Sequence, residues 1–338
     1  MAGQAGEGDV AVVTGGTAGV GRAVAKALLN RGMRVAVIAR GEERLGRMET
    51  QYGADRLMAI SADVAEAEEV DAAAASVIER FGRIDVWVND AMLTEFARFT
   101  DMDARDFERV VDATFLGQVN GARAALRHMR RGQIVFVGSG VAYRGIPMQS
   151  AYSAAKFAIR GFVGALRAEL RHDGRPVTLS MVELPAVNTP QFDWAKNQLP
   201  NQPRPAGTIY QPEVAARGVL RALDEGSREI FVGGSTLQLF FGNFLAPWLV
   251  DRQLARSGES MQQSDRRDPD RSGNLYAPSD RLGTAHGSFD EEAKAKGMIV
   301  DADRARAAAA IGVPLLALAL GALAGRASRR GEGERRLR

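Results

Sequence analysis

Tyr152 and Lys156 stand four residues apart in Tyr-Ser-Ala-Ala-Lys, and Ser139 lies 13 positions upstream of the tyrosine. A phenol has an unperturbed pKa of about 10, so proton transfer near neutral pH needs help. A lysine one helical turn away puts a positive charge on the same face and favours the phenolate. A serine hydroxyl alongside can hold a substrate oxygen. Near the start of the chain, Thr14-Gly15-Gly16-Thr17-Ala18-Gly19-Val20-Gly21 reads as a glycine turn between a strand and a helix. Such a turn can hold a dinucleotide pyrophosphate. Together these parts describe hydride transfer between a nicotinamide cofactor and an alcohol or ketone.

The elements that must position these residues follow from the apolar pattern. Short apolar runs at Val10–Thr14, Arg34–Ala39, Leu57–Ala62, Ile84–Val88, Ile134–Val137, Val177–Val182 and Glu229–Val232 predict seven strands. Helical spacing falls between them, at Gly19–Arg31, at about Arg105–Arg130 and at Gln149–His172. Continuous apolar strands separated by helices predict an α/β fold, a doubly wound parallel sheet covered on both faces. The ligand crevice then lies at the carboxyl ends of the strands. Gly15, Asp63, Asn89, Ser139 and Thr189 all follow predicted strands, which places them on that edge.

In this order and spacing the motifs resemble the short-chain dehydrogenase/reductase family over roughly residues 8 to 235. The resemblance implies a Rossmann-type fold and a homo-oligomer. It implies Tyr152 as general acid in reduction and base in oxidation, with Lys156 lowering its pKa and holding the nicotinamide ribose. Ser139 would hold the substrate carbonyl. In the glycine motif, Gly15 permits the tight turn, Gly19 lets the pyrophosphate approach, and Gly21 lets the helix pack closely; Thr17 and Val20 lie within it. Asp63 and Val64 resemble the family's adenine contact, and Val187 and Thr189 match positions that contact the nicotinamide amide and phosphate. Ala39 occupies the position where NAD-using enzymes commonly carry an acid, and Arg40 follows it. An arginine can neutralise a 2′-phosphate, so NADP is expected over NAD, with Arg44 assisting.

The sequence departs from the family at three places. Asn89-Asp90-Ala91-Met92 stands where the family has Asn-Asn-Ala-Gly, keeping Asn89. Thr114 stands at the position of a relay asparagine, where its hydroxyl could hold a water. Leu184-Pro185 replaces Pro-Gly. These departures motivate an alternative: a cofactor-binding regulatory or scaffold protein with little turnover.

The chain of 338 residues is 46% hydrophobic and 25% charged, ordinary for a globular protein. It has no cysteine, which excludes disulfides and thiolate metal sites. His128, His172 and His286 lack ligand spacing, so no metal is expected. Residues 326–338 hold six Arg and two Glu, so the net charge of +3 is a property of the tail. No nucleic-acid-binding face is expected. The N-terminus lacks a basic region followed by an apolar run, so no secretory signal is expected and the domain is read as cytoplasmic.

The expected organisation is a flexible stretch at 1–8, the dehydrogenase domain at 9–235, and a partly irregular extension at 236–306. An apolar helix at 307–325 and a basic tail at 326–338 follow. Residues 190–210 fall where the family has its substrate loop, and Phe192, Trp194, Leu199 and Tyr210 give it an apolar face. A lipophilic small-molecule substrate is therefore expected. The uncharged run 307–325 would span about 28 Å as a helix. Flanking arginines suit membrane association at the interface, with packing against protein as the other reading.

Overall fold

Apolar runs become strands covered on both faces. The computed structural model describes residues 6–268, 271–279, 281, 283–308 and 310. Strands β1 (Val10–Thr14), β2 (Arg34–Ala39), β3 (Leu57–Ser61), β4 (Val86–Asn89), β5 (Gly132–Ser139), β6 (Val177–Leu184) and β7 (Glu229–Val232) lie in the order β3-β2-β1-β4-β5-β6-β7. Every neighbouring pair among these is parallel. The expectation of seven strands is one short. A strand at Ile299–Asp301, β8, stands next to β7 in the sheet order. Three residues are too few to show a period, which is why the sequence pattern misses it. Two compact units divide the chain, Met1–Ile299 and Val300–Arg338.

Helices α1 (Gly19–Asn30), α2 (Glu42–Tyr52), α3 (Ala67–Phe81), α4 (Ala104–Val111), α5 (Gly117–His128), α6 (Ser150–His172) and α7 (Pro212–Glu225) cover the sheet. On one face Val24 and Leu28 of α1 and Val214 and Val219 of α7 pack on Val13, Val35 and Val182. On the other, Val70, Ala122, Ile159 and Val163 pack on Val12, Ile38, Trp87 and Phe136. Each such side chain contributes roughly 1.5–3 kcal/mol when fully buried. The frame beneath the catalytic edge is thus rigid on both sides.

One helical expectation changes. The long helix expected at about 105–130 is interrupted by one π turn, Asp112–Leu116, between α4 and α5. A π turn inserts an extra residue without breaking the apolar period enough to be read from sequence, and such turns cluster at functional sites. The extension has helices at its start and no helix or strand among the described residues between Arg267 and Ile299. Helices α8 (Gly234–Leu245) and α9 (Pro247–Ser257) begin it, and Gln263–Arg267 pairs antiparallel with Asn201–Pro203. Of the uncharged run 307–325, only residues 307, 308 and 310 are described. The rest of that run and the basic tail lie outside the described residues. Among the described residues, no helix is long and apolar enough to cross a membrane.

Candidate active site

At the carboxyl edge of β1 the chain must reverse into α1 beside the β4 edge. Gly15 does this at φ +73°, and a Cβ there would lie 2.8 Å from the Ala91 Cα. At Gly21 a Cβ would lie 2.5 Å from the Gly15 carbonyl oxygen, so only glycine lets the helix start this close. Helix α1 carries no acidic residue in its first turn. Its N-terminal amides are therefore open to an acceptor. Two have one: the Gly19 N–H donates to the Thr284 carbonyl at 2.9 Å, and the Gly21 N–H to the Asp90 carboxyl.

A cavity of about 320 Å³ runs along this edge. Gly15, Thr17, Gly19 and Val20 line its middle. Arg40, Asp63 and Val64 line one end, and Ser139, Tyr152, Lys156, Val187 and Thr189 the other. The cleft therefore gathers almost all of the residues expected to bind cofactor or substrate. Gly21, packed under the Gly15 carbonyl, does not line it, and neither does Asn89. It is fully buried behind β4, and its Oδ1 accepts from the Trp87 indole at 2.9 Å. Its neighbours Asp90, Ala91 and Met92 line the cavity instead. Arg40 reaches the cleft but also donates to the carbonyls of Asn274 and Leu275, at 2.6 and 2.9 Å. Asp63 is paired with Arg109 and lies 3.9 Å from Arg40. Arg44 stacks on the Trp194 ring, 5.1 Å from its centroid, and so joins the cofactor end to the substrate loop.

The catalytic group sits where β5 meets α6. Ser139 ends β5, and its Oγ accepts from the Val141 N–H at 3.2 Å while standing within hydrogen-bonding reach of the Tyr152 phenol. The Lys156 Nζ lies 5.5 Å from the Tyr152 ring centroid and donates to the Val137 carbonyl at 2.7 Å. Burial pushes the Lys156 pKa down to about 8, against the pull of Asp90 and Glu183. The expected lowering of the Tyr152 pKa does not appear in the unliganded site. Burial pushes it up, the Ser139 hydrogen bond pulls it back only in part, and Asp90 and Glu183 raise it further. Two buried carboxyls thus offset the lysine's positive charge.

The comparisons with known proteins agree with this arrangement. The sequence pattern of the family described as short chain dehydrogenase matches residues 9–199. The chain belongs to the short-chain dehydrogenase family. An uncharacterised oxidoreductase of Bacillus subtilis, YxnA, is 32% identical over 266 residues, covering 76% of this chain and 74% of that one. The 3-ketodihydrosphingosine reductase of Bos taurus is 29% identical over 246 residues, covering 68% and 72%. A short-chain dehydrogenase structure from Streptomyces avermitilis superposes with a TM-score of 0.62 at 28% identity, covering 75% of this chain and 98% of that one. The chain is accordingly an oxidoreductase of the short-chain dehydrogenase type acting on CH–OH or C=O.

Several site features were not legible in the family motifs. Thr114 lies in the π turn, where its hydroxyl donates to the Leu93 carbonyl at 2.9 Å and accepts from the Leu93 N–H at 3.0 Å. Both of these bonds go to backbone, so Thr114 holds the Leu93 loop. Asp90, at the second position of the altered Asn-Asn-Ala-Gly, has a pKa pushed up to about 7 by burial. Glu183 is fully buried 3.6 Å from Arg160, and burial and Glu229 hold its carboxyl above the usual range. A lone acid inside an apolar strand is the sequence signal that could have found it.

At the substrate end, Phe192 and Trp194 line the cavity, whereas Leu199 and Tyr210 are buried away from it. Leu239 of α8 joins the lining from the extension. Among the described residues no cluster of three or more metal-ligating side chains occurs. His286 is held between Asp290 and Glu213, at 2.9 and 3.0 Å.

Proposed function

We propose that this protein is an NADP-dependent oxidoreductase that moves a hydride between nicotinamide and a carbonyl or secondary alcohol, with Tyr152 as general acid/base. One observation carries the reading: Ser139, Tyr152 and Lys156 line the same cavity as the Gly15–Val20 turn and Arg40. The residues fit a dinucleotide. The glycine turn admits a close approach, the α1 terminus suits an anion, and Arg40 supplies a charge for a 2′-phosphate.

The bound nicotinamide supplies or accepts the hydride at the substrate carbon. The chain's own residues handle the oxygen and its proton. In reduction, the Ser139 hydroxyl donates to the carbonyl oxygen while Tyr152 delivers a proton to it, giving a neutral alcohol. The raised Tyr152 pKa keeps the phenol protonated at neutral pH, which is the form reduction needs. Oxidation needs the phenolate, so its rate should climb with pH. Lys156, buried one turn from Tyr152, is charged below about pH 8 and steadies the phenolate left after proton transfer.

Val141, Ile146, Phe192, Trp194 and Leu239 make the substrate end of the cavity apolar. This supports a lipophilic carbonyl substrate, as does a relative named for a keto substrate. Association of the 307–325 run with anionic lipid is a further part of the reading; salt-sensitive co-sedimentation with vesicles would support it, and a wholly soluble full-length chain would oppose it.

The direct test is oxidation of NADPH and NADH in parallel against a panel of ketones of rising apolar size. Turnover with NADPH that disappears in Tyr152→Phe is the expected result. Cofactor binding without turnover on any ketone would point instead to the regulatory reading.

A further inference from the structure

We propose that the apex joining α8 to α9 is a docking surface for an anionic lipid bilayer. The inference does not rest on the proposed reaction, and it concerns a different part of the chain from the 307–325 run.

The apex follows from the sequence. Residues 236–250 carry no charge. Ala246 precedes Pro247, and a residue before proline is pushed out of the helical region. Helix α8 therefore stops at Leu245, Ala246 sits at φ −146°, and α9 opens on the proline. The two helices close beside this bend, where a Cβ at Gly242 would lie 3.6 Å from the Val250 side chain. Arg144 fixes their base. It donates to the Asn243 side chain at 3.2 Å and pairs with Asp251. Phe240 packs inward on Phe231 and Tyr143.

Beyond this anchored base the apex is bare. Nine large apolar side chains are exposed among the described residues, and four of them, Phe244, Leu245, Trp248 and Leu249, fall within six consecutive positions. Pro247 between them is exposed as well. Apolar residues exposed singly are ordinary, whereas a contiguous set marks an interaction site.

Three observations select lipid as the occupant. The first is size. Six residues at a bend fall short of the roughly 20–30 that each partner brings to a stable protein interface. A bilayer needs no matching surface and takes up a few apolar anchors. The second is charge. Arg252 lies 6.0 Å from the Trp248 ring centroid, and Arg256 is exposed one turn further along α9. The acid that follows the apolar run, Asp251, is already paired with Arg144. The rim thus offers cations to lipid phosphates, beside an indole of the kind that settles at headgroup level. The third is continuity with the cleft. Helix α8 carries Leu239 on the cavity wall, and Phe244 lies five residues on, about 7.5 Å along the helix axis. Docking would hold the apolar end of the cavity close to the lipid surface.

Trp248 makes the contact readable. Of the three tryptophans, Trp87 and Trp194 are buried and Trp248 is exposed. The experiment mixes the full-length chain with vesicles of phosphatidylcholine and phosphatidylglycerol, the phosphatidylcholine brominated in its acyl chains near the headgroup. Bromine quenches an indole only at close range. The expected result is loss of about a third of the tryptophan emission relative to unbrominated vesicles, and of less than about a tenth in Trp248→Phe. A double variant, Phe244→Ser with Leu245→Ser, should bind unbrominated vesicles at least about tenfold more weakly, because two apolar anchors are gone. Both side chains are exposed, so its thermal unfolding should be unchanged.

Vesicle binding without quenching, quenching that persists in Trp248→Phe, or full binding by the double variant would place the lipid contact elsewhere in the chain and overturn the proposal. Absence of vesicle binding would overturn it too. A dimer in solution that the double variant converts to monomer would show a second copy on the apex and overturn it equally. Turnover of NADPH on soluble ketones is measured without vesicles, so failure of the proposed reaction and failure of docking are read separately.

Discussion

Tyr152 and Leu239 line one cavity, yet the elements that carry them are held in different ways. Helix α6, with Tyr152, buries Ile159, Val163 and Leu170 against the sheet. Helix α8, with Leu239, buries only Thr236, and α9 buries nothing. Phe244 and Trp248 of this pair are 77% and 61% exposed. Phe240 packs against Phe231 and Tyr143, at 5.3 and 4.9 Å between ring centroids, and Asn243 donates to the Tyr143 carbonyl at 2.9 Å, so one aromatic cluster and a few polar contacts tie α8 to the frame. The difference teaches a division of labour. The reacting groups stand on an element buried against the sheet, whereas α8, buried at fewer positions, adds Leu239 to the wall of the same cavity.

The largest expected effect tests the fixed half. Tyr152→Phe keeps the ring and removes the transferable proton. Its kcat should fall about 10²- to 10⁴-fold, the usual worth of a positioned acid, while the Kd for cofactor barely moves. Under the proposed mechanism Lys156→Ala should lower kcat and weaken cofactor binding together, because the lysine would serve both the phenol and the ribose. Near-full activity of Tyr152→Phe on the true substrate would remove the chemistry from the sheet edge and end the comparison.

Next in size is the cofactor end, where Arg40 meets the carbonyls of Asn274 and Leu275. Arg40→Asp replaces a cation with an acid that repels a 2′-phosphate. NADPH affinity should drop about tenfold or more, with NADH affected less. The substitution also removes the two donors to the Asn274 and Leu275 carbonyls, so both cofactors are compared within the same variant. Equal affinity of the unmodified chain for both cofactors would defeat the assignment of Arg40.

Leu239→Ala probes the extension alone. Removing apolar area from the substrate wall should raise KM about three- to tenfold and change kcat less than about twofold. A fall in kcat with constant KM would mean that α8 positions the reacting groups, and the division between the two regions would have to be redrawn.

The same division explains what the sequence could show. β1, β2 and β7 have the bounds their apolar runs predict, because a strand buried on both faces must be apolar throughout. Gly15, Ser139, Tyr152 and Lys156 were legible because each follows from local chemistry at a fixed spacing. The bond from Arg40 to Leu275 was not. The two are 235 positions apart, and a bond to a backbone carbonyl leaves no trace in residue type. The resting state of Tyr152 was illegible for a related reason. Proximity of a lysine is local and visible, whereas Asp90 and Glu183 reach the phenol only through the packing of separate strands. Asn89 shows the converse: its type suggested a ligand contact, and its strand turned it inward to Trp87.

The smallest effect concerns that buried charge. Asp90 has a pKa of about 7 in the folded protein against an ordinary 3.8. A raised carboxyl binds its proton more tightly in the native state. Its contribution to stability is complete below about pH 4 and is lost as pH rises through 7, where the native fold must hold a buried carboxylate. Glu183 shifts in the same direction and steepens the loss. Lys156, depressed to about 8, acts in the opposite sense but above that pH. Asp90→Asn keeps an acceptor for the Gly21 N–H and cannot ionise. The variant should therefore match the unmodified chain near pH 4.5 and exceed it by about 1 kcal/mol near pH 7.5. Denaturant unfolding at the two pH values measures this directly. A gain of equal size at both would mean that the substitution repacks the β4 edge without relieving any charge. A gain confined to the higher pH would place an uncompensated acid inside the rigid half of the molecule.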